Sequence, residues 1–279
     1  MMISRRQWLG HGAALATTLA AWPLAARSAK AKAIGLQLYT LREMFAADPM
    51  GTLAKVAAIG YREVEFGGGG YEKLDHAALR LTMDRIGLRS PSVHIGYEAL
   101  RDDFAGSVRM AKTLGADTVV LPWIAPEMRN FGRWRDALAN FNLWARDLKA
   151  AGLGFAYHNH DFEFTVKWAG RSMFDMLVTE TDPSLVKIEL DLFWAVAAGE
   201  DPKAVIRRLP GRIYAYHVKD RTPDGKMTSV GAGTIDFADI FAFDRLAGVK
   251  HFYVENDQAP APYLPDVTAS FAALSRLRA

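Results

Sequence analysis

The stretch VKIELDLFWAVAAGEDPKAVIRRLPGRIYAYHV, residues 186–218, decides the architecture. It opens on an apolar, strand-like run at 186–191 and closes on another at 213–218, their starts 27 residues apart. Between them, Asp201-Pro202 places a capping carboxylate before a proline at the first helical position, where its missing N–H costs nothing. Strand, helix and strand at that interval describe one β–α–β unit. The unit recurs outward in both directions. Further strand segments at 34–39, 61–66, 91–96, 117–122, 153–158 and 251–255 bring the number to eight, with starts a mean of 31 residues apart. Asp48-Pro49 repeats the helix-start signal, and Gly60, Gly87, Gly115 and Gly152 each close a helical pattern just before the next strand. Strict alternation implies a parallel sheet, and eight units predict an α/β fold, a single-domain (β/α)8 TIM barrel over residues 32–279. A doubly wound open sheet is the alternative. It would want a glycine-rich turn after the first strand, where Tyr39-Thr40-Leu41-Arg42 stands.

Composition narrows the chemistry. The 279 residues are 50% hydrophobic and 23% charged, as in globular proteins, and include no cysteine. Disulfides, thiolate nucleophiles and Cys-held zinc or iron–sulfur centres are therefore excluded, and any metal must sit on His, Asp or Glu. Ser4-Arg5-Arg6-Gln7-Trp8-Leu9-Gly10 puts an arginine pair before an apolar run from Ala13 to Leu24 and a string of small residues. This pattern resembles a twin-arginine export signal, which implies a cleaved segment over residues 1–31, recognition by the export machinery and a periplasmic mature protein. The apolar run is too short to cross a bilayer, which needs roughly 20 helical residues, so no stable membrane anchor is expected. Those 31 residues hold Arg5, Arg6, Arg27 and Lys30 and no acid, so the remainder carries 30 basic and 31 acidic residues, a net −1. The whole sequence, with a pI near 9.0, invites a nucleic-acid or membrane-surface partner. The near-neutral remainder lacks the electrostatic attraction that such binding rests on.

In a barrel the site forms where strands end. Ionisable residues crowd those positions: Glu65, His94, His158, His160, Glu163, Glu189, Asp191, His217, Lys219 and Glu255. Side chains two apart share a strand face, pairing His158 with His160, Glu189 with Asp191 and His217 with Lys219. Asp191, His217 and Glu255 fall at corresponding depths on strands six, seven and eight, with His158 the matching residue on strand five. Carboxylates buried that close repel unless a cation compensates them. One divalent metal ion is the expected cofactor, Mn²⁺ first, with Co²⁺, Zn²⁺ or Fe²⁺ as alternatives on a mixed imidazole and carboxylate donor set. Trp123 and Trp194 offer flat faces for a sugar or for helix packing. Glu65, His94, Glu189 and Arg221 are candidate substrate contacts, and Gly67-Gly68-Gly69-Gly70 reads as a flexible loop.

Four motifs carry a resemblance. Val186 to Pro202, Tyr-His-Asn-His-Asp-Phe-Glu-Phe at 157–164, His-Val-Lys-Asp at 217–220 and Val-Glu-Asn-Asp at 254–257 resemble the xylose-isomerase-like sugar phosphate isomerase/epimerase superfamily. Gly35 to Arg42 looks like its first strand. The resemblance implies one divalent metal held by His158, Asp191, His217 and Glu255, with Glu163 the other candidate on strand five. Ketose epimerases of that superfamily carry glutamate where this chain has His158, so the second acid/base falls to a histidine, Glu163, Glu189 or Lys219.

The expected function is a metal-dependent sugar isomerase or epimerase. It would remove a proton beside a carbonyl through an enediolate, with Glu255, Glu163, His160 and Lys219 as the catalytic candidates. A keto-sugar (glycoside) lyase on the same scaffold and a non-catalytic sugar-binding barrel are the alternatives. An endonuclease-IV-like repair enzyme would want more metal ligands and a cationic groove. The expected partner is a small carbohydrate.

Overall fold

The computed structural model describes residues 33–278, so the proposed export signal over 1–31 lies outside the described residues. Eight parallel strands close into a barrel: β1 (Ile34–Gln37), β2 (Glu63–Phe66), β3 (Arg89–His94), β4 (Thr118–Leu121), β5 (Gly154–His158), β6 (Val186–Asp191), β7 (Ile213–Val218) and β8 (His251–Val254). They follow chain order around the barrel, and β8 pairs with β1 to close it. Each of the eight sequence segments overlaps one strand, with β3 starting two residues before the predicted 91–96. The first strand is shorter than the predicted 34–39, because the Gln37 side chain accepts the Tyr39 N–H and turns the chain into a 3₁₀ turn over Leu38–Leu41.

The helix signals act as read. Asp48 accepts the Gly51 N–H at the start of Pro49–Ile59, and Asp201 accepts the Lys203 N–H at the start of Pro202–Arg208. Gly87 and Gly115 end their helices in the left-handed region, where a side chain is strained. Two of the intervals hold elements the sequence pattern did not show. Two short antiparallel ribbons, Lys167–Trp168 with Arg171–Ser172 and Asp220–Arg221 with Met227–Thr228, sit after β5 and β7.

The main apolar core fills the space between strands and helices. A separate cluster of Val120, Ala156, Tyr214, Ala215 and Tyr253 includes the small residues that lie two positions before the site residues. Two residues onward on the same faces come His158, His217 and Glu255. Register sets Asp191 beside His217 and His158 beside Glu189, while Glu255 stands two residues beyond Tyr253, the partner of His217 on β8. Tyr253 needs Gly35 opposite it: a β-carbon there would lie 2.4 Å from the tyrosine ring. Apolar packing thus plugs the barrel below, and polar groups gather at the C-terminal mouth. No helix among the described residues is long and apolar enough to cross a membrane.

Candidate metal centre and cavity

Two groups of ligand-type side chains share His217. Asp191, His217 and Glu255 form one; His94, His158, Glu189 and His217 form the other, the ligand atoms of each lying within 4.8 Å of one another. His217 Nδ1 is 2.6 Å from Glu255 Oε2, while its Nε2 is 2.9 Å from Glu65 Oε2 and 3.0 Å from Glu189 Oε2. His94 Nε2 bridges the same two carboxylates at 2.8 and 2.9 Å. His158 touches both groups, with Nδ1 3.2 Å from Glu189 Oε2 and Nε2 3.8 Å from Asp191 Oδ2. The expected ligands His158, Asp191, His217 and Glu255 are therefore neighbours. Glu189 and Glu65 lie one layer deeper than expected for substrate contacts, each fully buried. Gln37 donates to Glu65 at 2.8 Å, and Ser92 donates to its other oxygen.

Lys219 is fully embedded at the mouth. Its ammonium lies 3.1 Å from Asp191, 2.8 Å from Glu255 and 2.9 Å from Asp257. Burial opposes its charge, yet these three carboxylates hold it well above its usual range. Glu255 is held well below the usual carboxylate range against its burial by Lys219 and His217. Burial raises Asp191, with Lys219 working the other way. The imidazoles split. Burial opposes charge on His217 but Glu189 and Glu255 raise it well above normal, whereas burial and the facing His217 push His158 well below. Burial, then Lys219, lowers His160 to about 3.

The site fits a divalent cation by its donor chemistry. Asp191 Oδ2 is buried and accepts no hydrogen bond, Lys219 standing near it without hydrogen-bond geometry, and Glu189 Oε1 is likewise unpartnered. Lys219 compensates part of the charge on Asp191, and the acceptor positions left open on these two buried carboxylate oxygens favour a further cation. Trp194 N–H and Asn159 hold Asp191 in place through its other oxygen and its backbone.

Other predicted residues take different positions. His94, Trp123, His158, His160, Lys219 and Glu255 line a cavity of about 460 Å³, a size that suits a small molecule. Glu163 lies behind that wall: Tyr157 donates to it at 2.5 Å and the His160 N–H at 2.7 Å, and burial raises it to about 7. It positions the His160 backbone. Trp194 packs against His160, their ring centroids 5.5 Å apart. Arg221 sits in the ribbon after β7, outside the cavity lining. Asp257 was not singled out from the sequence, yet it lines the cavity and binds Lys219; burial raises it to about 6. Its spacing of two from Glu255 was the available signal. Tyr39 and Gly96 also line the cavity without having been singled out.

With this geometry in hand, comparison with known proteins is decisive at one level. Residues 53–255 match the family model for the xylose isomerase-like TIM barrel. The chain belongs to that family. Among relatives of this xylose isomerase-like barrel, an inosose dehydratase of Geobacillus kaustophilus (strain HTA426) is 25% identical over 264 residues, covering 79% of this chain and 83% of that protein. An inosose dehydratase of Clostridium tetani (strain Massachusetts / E88) is 29% identical over 126 residues, and the match spans 39% of this chain and only 41% of that protein's length. Among solved structures, a sugar phosphate isomerase/epimerase from Parabacteroides distasonis ATCC 8503 aligns with a TM-score of 0.76 at 26% identity, covering 91% of this chain and 98% of that one. The family thus includes isomerases or epimerases and dehydratases, and this xylose isomerase-like barrel has the buried His/Glu/Asp cluster to be an enzyme among them.

Proposed function

We propose that the protein is a divalent-metal-dependent enzyme that removes a proton next to a carbonyl in a sugar-like small molecule, leading to isomerisation or epimerisation. The observation that carries this reading is the cluster of Asp191, whose buried Oδ2 accepts no hydrogen bond, with His158, His217 and Glu255 at the edge of a 460 Å³ cavity. Those four residues would hold the ion, with Mn²⁺ preferred. A divalent cation supplies charge stabilisation for an oxygen that turns anionic as the neighbouring proton leaves. Lys219 keeps Glu255 and Asp257 ionised and aimed into the cavity, so the β8 wall offers carboxylates to take a proton. On the β5 wall, His160 lines the cavity and burial keeps it neutral, so it offers the substrate a hydrogen-bonding imidazole more than a base.

A second reading, β-elimination, is favoured by His158. With an imidazole on strand β5 where two-carboxylate epimerases have glutamate, one carboxylate wall can serve both steps. Glu255 takes the α-proton, the C–H electron pair forms the C=C bond, and the departing oxygen leaves with its bonding pair and takes the proton back. The similarity to proteins named inosose dehydratase supports this outcome.

The test is incubation of metal-loaded protein with a panel of keto-sugars in heavy water, read by mass spectrometry. Deuterium in a product of unchanged composition is expected for isomerisation or epimerisation, and loss of water or an alcohol for elimination. No exchange across the panel overturns the reading. We also propose twin-arginine export to the periplasm, supported by Arg5-Arg6 and the apolar run after them. Arg5→Lys with Arg6→Lys should retain the precursor in the cytosol; periplasmic protein from that variant would refute the route.

A further inference from the structure

The two halves of the cavity wall differ in kind. Strands β5 to β8 bring most of the ionisable groups, whereas the ends of β1 to β4 bring Tyr39, Gly67, Gly68, Gly96 and Trp123 beside His94 and Glu72. We propose that this second half is a subsite for an additional sugar ring, held between Tyr39 and Trp123, and that the substrate is an uncharged glycoside of at least two rings and not a sugar phosphate. The proposal rests on the sugar-directed reading above and specifies its substrate class.

Tyr39 and Trp123 are 39% and 44% exposed while lining the cavity, and a guanidinium stacks on each ring. Arg42 stacks 4.5 Å from the Tyr39 ring centre and donates to the carbonyls of Tyr39 and Asp257. Arg129 lies 5.0 Å from the Trp123 ring centre and is fixed by the Ile124 carbonyl and the Phe162 ring. Rings held this way lose little freedom on binding and present flat faces to the C–H side of a pyranose.

Gly96 supplies the independent observation. Its φ of −67° and ψ of 159° suit any residue, and a β-carbon there would meet nothing within 4 Å. The fold does not demand a glycine at this point. Gly96 and Glu72 line both the 460 Å³ cavity and a groove of about 590 Å³, so a side chain at position 96 would stand where the two meet. Charge argues against phosphate. Among the described residues lining the cavity, the cationic groups are Lys219, bound to three carboxylates, and His94, bound to two, while Glu72, Glu255 and Asp257 line it as well.

The experiment is calorimetric titration of Mn²⁺-loaded protein with fructose, fructose 6-phosphate and the keto-disaccharides turanose, lactulose and isomaltulose. The best disaccharide should bind at least tenfold more tightly than fructose. In Gly96→Phe, with its thermal melting checked against wild type, the ratio should collapse to within about twofold of one, and Trp123→Ala should lower it independently. Equal affinities in wild type, tightest binding of the phosphate, no measurable binding of any probe, or a ratio untouched by Gly96→Phe overturns the proposal. Solvent exchange into fructose without disaccharide preference defeats the subsite and spares the reaction class. Disaccharide preference without exchange into any sugar does the reverse.

Discussion

At the scale of single residues, Lys219 and Glu163 show how differently two buried ionisable groups are used. Lys219 compensates three carboxylates, so Lys219→Met would leave Asp191, Glu255 and Asp257 facing one another with no ammonium. Removing one partner of a buried ion pair costs about 3–5 kcal/mol, and urea unfolding of the metal-free variant should show a loss of that order. A loss under 1 kcal/mol would mean that the carboxylates already share protons. Glu163 carries the opposite cost, because burial favours its neutral form and raises it to about 7 from an ordinary 4.5. Between those two values the folded state keeps a proton that the unfolded chain releases. Stability therefore falls as pH rises from 4.5 to 7 and levels off above, by on the order of 3 kcal/mol at about 1.4 kcal/mol per unit. Glu163→Gln keeps an acceptor for the His160 N–H and a donor for Tyr157, and should flatten that slope. Parallel stability–pH curves for the two proteins would contradict it. The ligand-type residues were legible because strand periodicity places His158, His217 and Glu255 on known faces. Glu163 was misplaced, since a short helix at Phe162–Thr165 turns it back under the strand end.

At the scale of elements, the strands were readable and their connections less so. Regular spacing and capping carboxylates expose each β–α unit, but the register shift between β6 and β7 at Ile188/Glu189 leaves no mark in the sequence. That irregularity is what sets Asp191 opposite His217. The long segment after β7 likewise reads as undefined loop, although one side chain organises it. Asp220 is buried and its carboxylate accepts four backbone N–H groups, from Arg221, Gly231, Gly233 and Ile235. Each oxygen serves two of them, so Asp220→Asn must turn an amide donor toward two donors. About 1–3 kcal/mol is expected for each donor left unsatisfied. Limited proteolysis should cut the variant within residues 221–235 faster than wild type while the barrel remains folded. Equal cleavage rates would show that the loop is held by other contacts.

For the whole molecule, the barrel's stability and its site are coupled through the buried carboxylates at the mouth. An apolar plug of Ala156, Ala215 and Tyr253 beneath the site keeps water from solvating those groups from below, and register fixes their spacing, so the fold bears the electrostatic strain of its own active face. A cation that binds only the folded state stabilises it by mass action, by about 2.7 kcal/mol at a hundred times its dissociation constant. For a domain of this size, roughly 2–4 °C per kcal/mol converts that into a rise on the order of 5–10 °C in melting temperature. Chelated protein should therefore melt lower than Mn²⁺-loaded protein by that amount, read by calorimetry without any substrate. Asp191→Asn removes the charge that would meet the ion, along with one of the three carboxylates paired with Lys219, and should abolish the response to Mn²⁺. Chelated and Mn²⁺-loaded Asp191→Asn should melt together, because loss of an ion ligand removes the metal increment whatever it does to the metal-free baseline. An Asp191→Asn protein that still gains stability from Mn²⁺ as wild type does would place the ion elsewhere, in the deeper group of His94, His158, Glu189 and His217.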